Sequence, residues 1–143
     1  MDGAIAVNER KCTGCNACLF ICSFRHGSQF APAKARLRVR RVEREGKATP
    51  LVCRQCEDAA CVEACPTAAL THDTAAGVIR LKSEDCSGCE ACVDACSHDV
   101  LSWDAEAGLP LHCDLCGGRP ACVEICDPGA LSFPAASAGR AAK

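Results

Sequence analysis

Apolar residues in this chain come in short bursts, and four of the bursts share one plan. They are Ala17-Cys18-Leu19-Phe20-Ile21-Cys22, Ala60-Cys61-Val62-Glu63-Ala64-Cys65, Ala91-Cys92-Val93-Asp94-Ala95-Cys96 and Ala121-Cys122-Val123-Glu124-Ile125-Cys126. Each reads Ala-Cys-apolar-x-apolar-Cys, and two residues four apart share one face of a helix. The pattern predicts four helices of one or two turns. Between them, Ala69 to Thr71 and Val78 to Leu81 read as two short strands joined by a turn containing Gly77. Leu101 to Trp103 and Leu109 to Leu111 flank a second such turn at residues 104–108, and Ile5-Ala6-Val7 can pair as a further strand.

Residues 31–50 stand outside this repeat. Leu37, Val39 and Val42 are interleaved with Arg36, Arg38, Arg40, Arg41 and Arg44. Alternation fails at Arg40-Arg41, which predicts a strand with a bulge there, and Glu45-Gly46 supplies the turn of an inserted hairpin. The five arginines have two readings: a docking surface for an acidic partner, or a solvated face partly balanced by Glu43 and Glu45. Nucleic-acid binding is disfavoured, because no aromatic residues interleave with the arginines. Residues 134–143 are rich in Ala, Ser and Gly and carry no pattern, so they read as a flexible tail following one domain over residues 1–133.

Composition changes the picture in one respect. The 143 residues are 49% hydrophobic when Cys is counted, but beside sixteen Cys there are only four Phe, one Trp, one Met and no Tyr. A conventional core would be thin. Bound metal would have to supply part of the folding free energy, as it does in small zinc domains. The opening Met1 to Val7 has no basic region followed by an apolar one, and no run approaches the ~18 apolar residues of a membrane helix. The expectation is a cytoplasmic protein in a reducing environment without direct membrane insertion, which argues against a disulfide scaffold.

The sixteen cysteines form four quartets without remainder. Run one is Cys12, Cys15, Cys18, Cys22, and run three is Cys86, Cys89, Cys92, Cys96, both spaced C-x2-C-x2-C-x3-C. Run two is Cys53, Cys56, Cys61, Cys65, spaced C-x2-C-x4-C-x3-C and followed by Pro66; run four is Cys113, Cys116, Cys122, Cys126, spaced C-x2-C-x5-C-x3-C. Four thiolates hold one cubane 4Fe–4S cluster, and the spacing of runs one and three is the bacterial ferredoxin pattern. The quartets therefore predict four 4Fe–4S clusters. Each oxidised core with its thiolates carries a net −2, which takes the formal chain charge of −2 to about −10 in the loaded protein. Structural zinc is the competing reading, but zinc sites usually join two C-x2-C halves or include His. The expected fold is α+β: tandem dicluster-ferredoxin-like modules with short helices and hairpins around the clusters and little regular structure.

In two-cluster ferredoxins the fourth cysteine of a run crosses to the other cluster. Four runs can thus lock together as two pseudo-twofold pairs. Here the chain resembles a specific family, the four-cluster ferredoxin-like electron-transfer subunits of molybdenum and tungsten bis-pyranopterin oxidoreductases. The resemblance covers Cys12 to Leu131. It rests on Cys12-Thr13-Gly14-Cys15, on Cys53-Arg54-Gln55-Cys56-Glu57-Asp58-Ala59-Ala60-Cys61, and on Cys113-Asp114-Leu115-Cys116. It implies that run one pairs with run four, and run two with run three. One cluster would take Cys12, Cys15, Cys18 and Cys126, and a second Cys113, Cys116, Cys122 and Cys22. A third would take Cys53, Cys56, Cys61 and Cys96, and the last Cys86, Cys89, Cys92 and Cys65. It also implies a wire ordered run one, four, two, three, with a tungsten- or molybdenum-pterin catalytic subunit at the run-one end. A flavin subunit, a ferredoxin or a further copy of the chain would stand at the other.

Two features depart from that family. Proline follows the fourth cysteine only at Pro66, where Ser23, Ser97 and Asp127 stand in the other runs, and the long C-terminal extension of membrane-anchored relatives is absent. The resemblance is therefore nearest to the small tungsten aldehyde oxidoreductase type. Hydrogenase, formate dehydrogenase and carbon monoxide dehydrogenase partners remain open, as do a freely diffusing polyferredoxin and a zinc-stabilised interaction module. His26, His72, His98 and His112 are expected off the metal, at the surface or beside a ligand, because no cysteine is missing. Trp103 is expected in a hairpin core. The chain carries no phosphate-binding glycine motif and no catalytic constellation of its own, so it reads as a conductor rather than an enzyme.

Overall fold

The computed structural model describes residues 3–134. All four cysteine-bearing bursts form short helices: α1 (Ala17–Gly27), α2 (Ala60–Glu63), α3 (Ala91–Ala95) and α4 (Ala121–Ile125). Among the described residues, eight short strands pair only as two-stranded antiparallel ribbons. The first, β1 (Ala6–Val7), joins the last, β8 (Leu131–Ser132), with Val7 opposite Leu131. The remaining ribbons are hairpins: β2 (Arg38–Val42) with β3 (Lys47–Leu51), β4 (Leu70–Asp73) with β5 (Val78–Leu81), and β6 (Ser102–Asp104) with β7 (Leu109–Leu111). Short helices and small antiparallel hairpins make a mixed α/β architecture with little regular structure, as the sequence pattern predicts. The tail at residues 135–143 lies outside the described residues.

The inserted hairpin is regular. Its register runs one to one from Arg38↔Leu51 through Arg40↔Thr49 and Arg41↔Ala48 to Val42↔Lys47, so the expected bulge at Arg40-Arg41 is not there. Arg40, Arg41 and Val42 are all exposed, because this end of the hairpin runs out past the core. On this strand no side chain there is held in the core, and alternation is no longer required, although Ala48 opposite Arg41 is buried. The turn falls at Gly46, whose φ of 61° puts it in the left-handed region that glycine enters without penalty.

Apolar packing divides into two groups. One gathers Ile5, Leu37, Val52, Leu115, Val123 and Phe133 around α1 and α4, and includes Cys22 and Cys122. The other gathers Ala59, Leu70, Ile79 and Leu101 around α2 and α3, and includes Cys92. Correspondingly, α1 packs on α4, and α2 packs on α3. The thiols are core material as well as candidate ligands. Trp103 is half-buried, and its ring lies over Gly88 in the loop of run three.

Candidate metal centres

The cysteines occupy the same local frame four times. The early members of each run lie on loops, and the third opens a helix. Left-handed residues bend these loops: Gly14 (φ 72°) and Asn16 (φ 63°) in run one, Gly88 (φ 75°) and Glu90 (φ 61°) in run three. Gly14 is also held from outside. Arg41 donates to its carbonyl at 2.6 Å and to Asn16 Oδ1 at 2.7 Å, and a Cβ on Gly14 would stand 2.8 Å from the Arg41 guanidinium.

The thiols repel one another in defined groups. Burial pushes Cys18 up to about 11, and charge from Cys15, Cys12 and Cys126 adds to it. Burial pushes Cys53 up to about 11, with Cys56 and Cys96 adding, and Cys61 to about 11, with Cys53 and Cys96 adding. Cys92 reaches about 11 through burial, with Cys61 and Cys65 adding. Cys113 is pushed up to about 12 by burial, with Cys53, Cys22 and Cys116 adding, and Cys122 is raised by burial and by Cys113, Cys22, Cys116 and Cys18. Crowded, half-buried thiols of this kind ionise together only if positive charge is placed among them.

Backbone donors prepare some of the sulfurs for that charge. At Cys96 burial is outweighed by the N–H groups of Leu101, Val100, His98 and Asp99. At Cys65 it is outweighed by the N–H groups of Leu70, Thr67 and Ala69 with the Thr67 hydroxyl, and both thiols fall below their ordinary value. Cys22 Sγ accepts the Arg36 N–H at 3.2 Å. Soft sulfur donors in fours, crowded together and met by N–H groups, fit an iron–sulfur core.

A polar cluster adjoins run four. His26, one helical turn after Cys22, bonds the Cys22 carbonyl through Nδ1 at 3.0 Å and Asp114 Oδ1 through Nε2 at 3.1 Å. Asp114 Oδ1 accepts the Cys116 N–H at 2.9 Å, and Oδ2 pairs with Arg36 at 3.2 Å. The hydrogen bond from His26 holds Asp114 well below the usual carboxylate range. The Asp114 bond, with contributions from Cys116 and Cys22, raises His26 to about 11. Among the other histidines, His112 is buried, and that burial pushes it down to about 4.

The five arginines of the hairpin divide. Arg36 is tied to Asp114, Arg38 donates to the Leu101 carbonyl and pairs with Asp99 at 3.6 Å, and Arg41 braces the run-one loop. Arg40 and Arg44 are exposed. Gln55 was not among the sequence candidates, yet it is buried between runs two and four. Its Nε2 donates to the Cys113 carbonyl at 2.9 Å, and its Oε1 accepts the Ile79 N–H at 2.7 Å.

This combination of cysteine spacing, ribbons and thiol groups defines a ferredoxin-type iron–sulfur protein. The chain belongs to the 4Fe-4S dicluster domain family, whose model matches residues 45–136. It is thus a ferredoxin-like iron–sulfur protein. It is 43% identical over 111 residues to the polyferredoxin-like subunit of aliphatic sulfonate oxidoreductase from Pyrococcus furiosus, covering 78% of this chain and 64% of that one. It is 32% identical over 106 residues to the electron transport protein HydN of Escherichia coli, covering 71% of this chain and 59% of that one. The chain thus spans about three fifths of these curated relatives. Among solved structures, it resembles a chain of the active site complex BamBC of benzoyl coenzyme A reductase with benzoyl-CoA. That match has a TM-score of 0.53 at 32% identity over 90% of this chain and 76% of the other. No helix among the described residues is long and apolar enough to cross a membrane.

Proposed function

We propose that this chain is the electron-transfer subunit of an oxidoreductase complex, holding four 4Fe–4S clusters and relaying electrons between a catalytic subunit and a second redox partner. The ligand sets are Cys12, Cys15, Cys18 with Cys126; Cys113, Cys116, Cys122 with Cys22; Cys53, Cys56, Cys61 with Cys96; and Cys86, Cys89, Cys92 with Cys65. When bound, the clusters supply reversible one-electron chemistry.

The observation that carries this reading is which thiols of different runs lie close enough to raise one another by charge. Cys122 of run four feels Cys18 of run one, Cys113 of run four feels Cys53 of run two, and Cys92 of run three feels Cys61 of run two. These pairings support the order run one, four, two, three. The packing of α1 on α4 and of α2 on α3 supports the exchange of fourth cysteines within each pair. It also supports two dicluster modules within one domain. A conductor needs its ends apart, and this order separates run one from run three.

The catalytic partner in this reading is a tungsten- or molybdenum-pterin subunit of the aldehyde oxidoreductase kind, seated at the run-one end. A flavoprotein, a ferredoxin or another copy of the chain takes the run-three end. Arg40 and Arg44 remain free to steer association, while Arg36, Arg38 and Arg41 brace the chain itself. The test is anaerobic purification with whatever stays bound, followed by dye-linked turnover. The expected result is turnover by the complex that falls when a cysteine of run two, an interior site, is replaced. Full-rate turnover after that loss overturns the linear order, and turnover by the isolated chain overturns the conducting role.

A further inference from the structure

The chain places most of its phenylalanine on its surface. Of its four Phe, only Phe133 is buried; Phe20, Phe24 and Phe30 are 39%, 44% and 65% exposed. They are gathered rather than scattered. Phe30, in the loop after α1, stacks on Phe24 with centroids 4.7 Å apart and meets Phe20 edge-on at 6.4 Å. Ile125 of α4, 41% exposed, extends the patch. Between the helices lies a groove of about 580 Å³ whose walls include Ile21, Phe24, Ala121 and Ile125, with Arg25 and Glu124 at its polar positions. A contiguous aromatic face with a polar rim has the composition of a protein interface.

We infer that this face of α1 and α4 is the seat of the catalytic oxidoreductase subunit, an inference that rests on the function proposed above. Two observations choose the occupant. First, the helices that present the patch carry Cys18, Cys22 and Cys122 and lead directly into Cys126, so a protein seated here lies against the run-one and run-four pair. Second, two copies meeting through these side chains alone fall short of a stable dimer. At roughly 200 Å² for a fully exposed Phe and somewhat less for Ile, the exposed fractions amount to about 350 Å². Two copies would cover about 700 Å² of it, against the ~1,200 Å² that a stable interface needs. A stable partner must reach past the aromatics onto the polar rim around them. Residues 135–143 offer no substitute, since they contain no aromatic or branched apolar side chain.

The experiment uses the tagged full chain, loaded with iron and isolated anaerobically from its own cells. Three forms are compared: the unaltered chain, the double variant Phe24→Ser/Phe30→Ser, and Val42→Ser as a control at an exposed apolar residue on the inserted hairpin. A co-purified protein counts only if it reduces benzyl viologen with an aldehyde, formate, carbon monoxide or hydrogen. The unaltered chain and Val42→Ser are expected to retain that activity at a fixed ratio. The double variant should lose it at least tenfold with iron per chain unchanged. Retention by the double variant overturns the docking surface alone. Its overturn by a second copy would appear as a dimer of the unaltered chain in light scattering that the double variant abolishes. Absence of any such activity from the unaltered chain overturns the proposed function and the docking surface together.

Discussion

Gln55 offers the sharpest test of how the two halves of the molecule are joined. Its side chain bridges the run-two loop to the backbone of run four, and it also bonds the Ile79 N–H of β5. The residue is 6% exposed and Ile79 is 1% exposed, so the Ile79 N–H gains no water when the amide is removed, and the part-buried Cys113 carbonyl gains little. Each buried group left unpaired costs about 1–3 kcal/mol. Gln55→Met keeps the volume and removes both bonds, so the loss comes to about 2–6 kcal/mol, a large part of the 5–15 kcal/mol typical of a folded domain. At ~3 kcal/mol per molar in guanidinium, the midpoint should fall by about 1–2 M. The assay is anaerobic loss of visible cluster absorbance against guanidinium concentration, with Gln55→Ala alongside to add the packing loss. A Gln55→Met midpoint equal to that of the unaltered chain would refute the reasoning.

Three further outcomes are expected. Cys22→Ser should remove the spectroscopic signature of the site held by Cys113, Cys116 and Cys122, and loss confined to the site of Cys12, Cys15 and Cys18 would count against the exchange of fourth cysteines. His26→Ala takes an N–H donor away from the sulfurs of Cys22 and Cys116. One midpoint potential of the four should move down in an EPR-monitored titration while the others hold, because donors to sulfur favour the reduced, more negative core. Anaerobically isolated protein should carry about sixteen iron and about sixteen labile sulfide per chain, and stripping them should collapse the far-UV circular dichroism. Stoichiometric zinc would instead favour the structural-metal alternative.

The parts of the fold that could be read from the sequence are those decided within a few residues. The helices that open with the third cysteine of each run, the hairpins around Gly77 and Gly108, and the strand at Ala6–Val7 all follow from local patterning. The bulge expected at Arg40-Arg41 fails for a tertiary reason, because the pattern could not say where the hairpin leaves the core. Gln55 was invisible because both of its partners are backbone groups, 58 and 24 residues away, and backbone leaves no mark in side-chain type. His26 was half visible. Its spacing of four from Cys22 follows helical geometry, but its bond to Asp114 spans 88 residues. The arginines were read as a surface because only their number and sign stand in the sequence, whereas three of them hold loops in place.

The pairing of β1 with β8, and of α1 with α4, makes the architecture nested like a pair of parentheses. The elements around runs two and three can meet while the chain is still emerging from the ribosome. The outer elements cannot. At 5–20 residues per second, Cys126 appears roughly 5–20 s after Cys22. Closing so long a loop also carries an entropic cost that short-range contacts do not. Assembly is therefore ordered from the inside outward, and the outer thiols wait longest for their partners. Oxygen or a competing metal that reaches the chain in that interval meets Cys12, Cys15 and Cys18 first, so errors of metal loading should accumulate at that site before any other.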